Sequence, residues 1–231
     1  MRNWQEFEKR IKTDFSNQDL LKKAFVHRSY LNEHPTFKIG HNERLEFLGD
    51  AVLELVVTER LFKDYPRSGE GELTNWRASL VNSQIIGEVA NDLGMENYLF
   101  LSRGESKDKN SKARQMILAN AFEALIGAIY LDKGIEACRQ FINQNLLIKF
   151  DEILANQAFL DPKSKFQELS QEKMGVTPAY KVISEKGPDH QKAFKLGVYL
   201  QGKLAGSGSG TSKQQAEIEA AKDALDKFKF E

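Results

Sequence analysis

Three carboxylates interrupt an otherwise apolar helical stretch. In Asn42-Glu43-Arg44-Leu45-Glu46-Phe47-Leu48-Gly49-Asp50 the acids Glu43, Glu46 and Asp50 recur at steps of three and four residues, the spacing that projects side chains from one side of a helix. Leu45, Phe47, Leu48, Ala51, Val52 and Leu55 surround them and favour burial. Like charges at these spacings repel, so the acids need a compensating partner. A hard divalent cation such as Mg²⁺, which takes oxygen ligands, would supply one.

Residues 1–147 read as a succession of helices. Trp4 to Ile11 is the first, and Gln18 to Ala24 follows Asn17, an N-cap residue type. A polar loop from Asn32 to Gly40 leads into the acidic helix, expected over 42–63. Proline and two glycines in Tyr65-Pro66-Arg67-Ser68-Gly69-Glu70-Gly71 break it. Thr74 is expected to cap a helix running to Leu93, and Gly104 to Ser111 reads as a polar loop. Ala113 to Leu131 is rich in Ile, Leu and Phe and belongs in the middle of its domain; Ile135 to Ile148 closes the unit.

The pattern changes after a linker at 149–161. A helix at Ser164 to Lys173 precedes three strand-like segments, Ala179 to Glu185, Ala193 to Leu200 and Lys203 to Ala205 with a glycine-rich extension. A last helix, Ser212 to Phe228, carries an inward stripe of Ala216, Ala220, Ala221, Ala224, Leu225 and Phe228. The expected architecture is an all-α domain over 1–150, then a small α+β (α-β-β-β-α) domain over 161–230 with both helices on one sheet face. Gly206-Ser207-Gly208-Ser209-Gly210-Thr211-Ser212-Lys213 reads in two ways: a flexible phosphate-binding loop at a helix N-terminus, or an ordinary turn with Ser212 as N-cap. It is not a nucleotide P-loop.

With 33 basic and 33 acidic residues, any nucleic-acid surface must be a local cluster rather than a global field. No uncharged apolar run is long enough to span a membrane, and the first residues lack a signal segment. The single cysteine, Cys138, excludes an intrachain disulfide and fits a reducing, cytoplasmic setting; it reads as packing material.

A second acidic position lies in the apolar helix at Asn120-Ala121-Phe122-Glu123, with Asn120 and Glu123 on one face. A charge in that company is costly unless paired or metal-bound. If the two helices pack together, Glu46, Asp50, Glu123, the amide oxygen of Asn120 and Glu70, folding back from its loop, converge on one or two divalent ions. Metal-assisted phosphodiester hydrolysis would follow. Equally, Arg44, Arg77 and Arg114 could pair with these acids in a structural network, and spacing leaves both readings open.

Asn42 to Leu53 (NERLEFLGDAVL) resembles the signature of the bacterial ribonuclease III family, as do His27-Arg28-Ser29-Tyr30, Glu70 and Phe122-Glu123-Ala124-Leu125-Ile126-Gly127-Ala128. Asp161 to Leu225 resembles that family's double-stranded RNA-binding domain. The resemblance implies a homodimeric endoribonuclease of double-stranded RNA, using Mg²⁺ (one or two per centre, with Mn²⁺ substituting). Its products carry 5′-phosphate and 3′-hydroxyl ends with two-nucleotide 3′ overhangs, and its substrates include rRNA precursors and other structured RNAs. It assigns Glu46, Asp50 and Glu123 to the metal, with Asp50 and Glu123 catalytic, and Glu43 and Glu70 to the RNA side. Phe47 is placed at the dimer interface. Gln167 and Glu168, then Pro188, Asp189 and His190, then Ser212 and Lys213 are assigned to the duplex, which such domains read by shape.

The chain departs from the family at two places. Asn120 stands where Asp is usual, which keeps an oxygen but removes a charge. This leaves a catalytically weak or silent double-stranded RNA-binding protein as the alternative. Gln214 and Gln215 follow Lys213 where a second basic residue is common, with Lys222 as a partial substitute further along.

Overall fold

The computed structural model describes residues 2–108, 111–150, 162–187 and 192–227. The chain divides into two compact units, 1–159 and 160–231.

Among its described residues the first unit is helical: α1 (Trp4–Ile11), α2 (Gln18–Ala24), α3 (Arg28–Glu33), α4 (Glu43–Asp64), α5 (Glu70–Leu80), α6 (Ser83–Asp92), α7 (Arg103–Lys107), α8 (Lys112–Lys133) and α9 (Ile135–Asn145), with 3₁₀ turns at Met95–Tyr98 and Leu147–Lys149. The first two helices begin where local capping chemistry places them. Asn3 accepts from the Glu6 amide, and Asn17 from the amides of Asp19 and Leu20, satisfying donors that a helix start leaves unpaired.

Helix α8 is the centre. Phe122, Leu125, Ile126 and Ile129 are fully buried, and α2, α4, α6 and α9 pack around it. Each such side chain contributes about 1.5–3 kcal/mol relative to exposure. Helix α4 turns Leu45, Val52, Leu53, Val56, Val57 and Leu61 inward. It crosses α8 at two glycines: a β-carbon on Gly49 would lie 1.7 Å from the Glu123 carbonyl oxygen, and one on Gly127 2.2 Å from that of Leu45. The backbones therefore touch, with no room for any side chain at the crossing.

Two helical expectations need correction. The helix expected from Thr74 to Leu93 is two helices, because Asn82 turns its side chain onto the amides of Gln84 and Ile85 and restarts the helix there. A side chain that bonds its own backbone competes with helix continuation. Thr74 lies inside α5, at whose start the Gly69 amide donates to the Glu72 carboxylate. Residues expected as polar loop contain α7, capped by Ser102, and α3 forms in a stretch with no expected helix.

In the second unit α10 (Pro162–Met174) precedes β1 (Ala179–Lys186), β2 (Ala193–Leu200) and β3 (Lys203–Gly210), and α11 (Lys213–Lys227) follows. The antiparallel sheet runs β1-β2-β3. Phe166, Val198, Leu200, Ala205, Ala220, Ala221 and Ala224 form its core.

Of the glycine-rich stretch, residues 206–210 extend the third strand as β3, and Thr211 and Ser212 make the bend from which Ser212 caps the last helix. A β-carbon on Gly206, Gly208 or Gly210 would come within 2.5, 2.2 and 2.8 Å of the Ala224, Ala220 and Ala216 amide nitrogens. Two strand residues advance about 6.7 Å and four helix residues about 6.0 Å. The glycine and alanine steps therefore match, and the helix lies flat on the strand.

Candidate active site and RNA interface

The crossing of α4 and α8 sets the acidic site. Glu46 and Asp50 flank Gly49 on one helix, while Asn120 and Glu123 lie about two turns and one turn, respectively, before Gly127 on the other. With the backbones in contact, the four side chains share one neighbourhood. Burial, then the charges of Asp50 and Glu46, push the Glu123 carboxyl up to about 7. Burial and the charge of Glu43 also raise Glu46, against a hydrogen bond from Asn120 that lowers it and a further push from Asp50. Glu46 and Glu123 thus feel the neighbouring acids as negative charge.

The arginines that would have made this a salt-bridge network point elsewhere. Arg77 donates to the Thr58 hydroxyl. Arg114 donates to the carbonyls of Glu105 and Asp108 and lies 3.8 Å from Glu96. Arg44 makes no ion pair among the described residues. Glu43 alone has cationic company, Arg28 and His41 each at 3.6 Å.

Among the described residues no three His, Cys, Asp or Glu side chains form a closed metal cage. The donor set nevertheless fits a hard divalent cation. Three carboxylates and an amide oxygen are its ligand chemistry, and Mg²⁺ keeps several waters and needs only one or two protein carboxylates.

Glu70 does not fold back over these acids in its own chain. It opens α5, accepts a hydrogen bond from the Thr74 hydroxyl, and lines a hollow of about 460 Å³ with Thr58, Leu61, Phe62, Leu73 and Arg77. Thr58 is eight residues beyond Asp50, about 12 Å along α4. Phe47, 82% exposed, is not core; Leu55 and Phe62 continue an exposed apolar stripe along the same helix. Cys138 is buried, with its thiol pushed up to about 12 by burial, and is packing material.

In the second unit Gln167 and Glu168 are exposed beside buried Phe166. Ser212 caps α11 by accepting from the Gln215 amide, and Lys213 begins the helix with its side chain outward. Pro188, Asp189 and His190 lie outside the described residues. Sequence reasoning missed Gly49 and Gly127, although two glycines inside strongly apolar helices were a readable sign of close approach.

An all-helical domain with acids facing across a two-helix crossing, joined to an α-β-β-β-α module, defines a nuclease with its own RNA-binding unit. Residues 17–150 match the ribonuclease-III-like family, and residues 162–228 match the double-stranded RNA binding motif. Ribonuclease 3 of Dehalococcoides mccartyi is 42% identical over 223 residues (96% of this chain, 94% of the relative). That of Streptococcus gordonii is 44% identical over 213 residues (92% and 91%). A crystal structure of the ribonuclease III nuclease domain from Campylobacter jejuni covers 65% of this chain and 97% of its own, at 37% identity and TM-score 0.58. A second structure of that domain, at 36% identity and TM-score 0.58, covers 64% and 99% and concerns flexibility in the region involved in dimer formation. The chain belongs to the ribonuclease III family and is an endoribonuclease. Among the described residues, no helix is long and apolar enough to cross a membrane.

Proposed function

We propose that this enzyme cuts double-stranded RNA with Mg²⁺, or with Mn²⁺ in its place. The products carry 5′-phosphate and 3′-hydroxyl ends with two-nucleotide 3′ overhangs, and rRNA precursors and other structured RNAs in the cytoplasm are the substrates. The observation that carries this reading is the meeting of Glu46 and Asp50 with Asn120 and Glu123 across a crossing at which only glycine fits. These four residues would hold the cation. When bound there, it supplies positive charge for the reacting phosphodiester and makes water a stronger acid. Asp50, exposed, faces the scissile phosphate. Glu123, pushed up to about 7 by burial and by its acidic neighbours when no cation is present, would be held in its ionised, ligating form by a bound divalent ion. Glu43 and Glu70, exposed at the starts of α4 and α5, face the RNA.

The second unit holds the duplex by shape, through Gln167 and Glu168 on α10, Pro188 to His190, and Ser212 and Lys213 at α11. Two copies associate through the exposed α4 stripe. Phe47 of one copy fills the hollow lined by Leu61, Phe62 and Leu73 of the other, a use for an aromatic ring otherwise left in water.

Incubating a fully paired RNA with Mg²⁺ and separately with Ca²⁺ tests the reading. Paired cuts offset by two nucleotides in Mg²⁺, lost in Asp50→Ala and Glu123→Ala, are expected. Binding without cleavage in any divalent ion would identify the silent RNA-binding alternative that Asn120 favours.

A further inference from the structure

Lys213 begins α11 with 58% of its side chain exposed, yet its ammonium is already engaged. It lies 3.2 Å from the Glu185 carboxylate on β1 and 5.7 Å from the centroid of the Phe194 ring on β2. Glu185 and Phe194 are directly opposed in the sheet register, so both neighbours hold the lysine over one spot. The helix start has no second cation nearby in sequence. Gln214 is neutral, and Gln215 turns back so that its Oε1 accepts from the amide and hydroxyl of Thr211.

We propose that Glu185 occupies Lys213 in place of an RNA phosphate and thereby sets the affinity and the salt dependence of duplex binding. The inference rests on the duplex-RNA reading of the second unit. A carboxylate and a phosphate oxygen offer the same acceptor chemistry to an ammonium. An incoming phosphate must therefore displace Glu185 or approach a fixed negative charge. Displacement is feasible because the pair is solvated on both sides, with Glu185 40% exposed, and solvated pairs are weak. A lysine already neutralised also leaves less charge to drive counterion release, so its phosphate contact adds less than the usual increment to the salt slope.

The test uses the full chain and a fully paired RNA in Ca²⁺, with affinity measured from 50 to 200 mM salt. Wild type, Glu185→Gln, Lys213→Gln and the double variant are compared. Glu185→Gln is expected to bind about 3- to 10-fold tighter, with a slope steeper by up to about 0.9, the increment of one phosphate contact on a duplex. Lys213→Gln is expected to bind more weakly, and the gain from Glu185→Gln should largely vanish in its background. Weaker or unchanged binding by Glu185→Gln overturns the proposal and makes Glu185 a support for Lys213 or a bystander. An equal gain with and without Lys213 also overturns it, because removal of a negative charge anywhere would do the same. If wild type and every variant fail to bind duplex RNA, the reading of the second unit falls and takes this proposal with it.

Discussion

A β-carbon on Gly49 would sit 1.7 Å from the carbonyl oxygen of Glu123, the residue that supplies the second helix's acid. Helix packing and catalytic geometry are therefore one constraint. Alanine in an open helix interior is favoured over glycine by about 1 kcal/mol, whereas overpacking a core costs about 1–3 kcal/mol and sometimes more. The backbone clash decides the sign. Gly49→Ala and Gly127→Ala are each expected to destabilise the first unit by about 3 kcal/mol or more, read from urea denaturation, and to weaken cation binding by parting the acids.

Glu123 makes stability depend on pH in the absence of divalent ions. Its carboxyl is raised from 4.5 to about 7 by burial and then by Asp50 and Glu46, so the folded state binds a proton more tightly than the unfolded one. Its cost is absent below about pH 4.5, grows as pH rises, and is fully present above about pH 7. The ceiling is about 3 kcal/mol, reduced because the group is partly solvated. With EDTA, wild type should lose stability between pH 5 and 8 and Glu123→Gln should lose much less. Added Mg²⁺ should stabilise wild type most at pH 8.

How much of this was legible depended on distance along the chain. The caps at Asn17 and the strand at Ala193–Leu200 came directly from residue type and local periodicity. The break at Asn82 was harder because apolar residues continue at helical spacing through it. Glycine misled twice. Gly206, Gly208 and Gly210 read as flexibility, although their spacing matches the alanines at 216, 220 and 224 that they lie against. Gly49 reads as a weak helix former until α8 is placed beside it. The acids were visible as a set; Glu70 was expected in a loop ending after residue 71, whereas it opens α5.

Asn120 provides the one neutral donor in the acidic site, and its hydrogen bond lowers Glu46 against burial and the charge of Glu43. Asn120→Asp removes that donor and adds a carboxylate. In EDTA the variant should be less stable than wild type by about 1.5–3 kcal/mol, the scale of a charged hydrogen bond. It should bind Mg²⁺ about 5- to 30-fold tighter, because extra ligand charge favours the ion. Thermal shifts across a Mg²⁺ titration measure both. A variant as stable as wild type in EDTA and equal in Mg²⁺ midpoint would assign Asn120 no role at the site.

Arg114 is a buried charge outside the site, only 3% exposed, with its guanidinium donating to two backbone carbonyls and Glu96 nearby. Arg114→Met keeps the bulk but strands those acceptors. Leaving buried acceptors without their donor costs about 1–3 kcal/mol, against at most about 1 kcal/mol for a solvated pair such as Arg60–Asp64. Comparing the denaturation midpoints of Arg114→Met and Arg60→Met should show that ordering.

Phe47 separates association from folding. At 82% exposed it adds almost nothing to its own subunit's core, so Phe47→Ala should unfold at the wild-type denaturant concentration once the protein is dilute enough to be monomeric. In a dimer that buries the ring, its removal costs about 3–5 kcal/mol per side if packing there matches a protein interior. Two symmetric copies of the contact lose their energy together. Sedimentation equilibrium should therefore show a dissociation constant raised by at least 100-fold. An unchanged constant would place the dimer contact elsewhere and leave the hollow beside Phe62 without its proposed occupant.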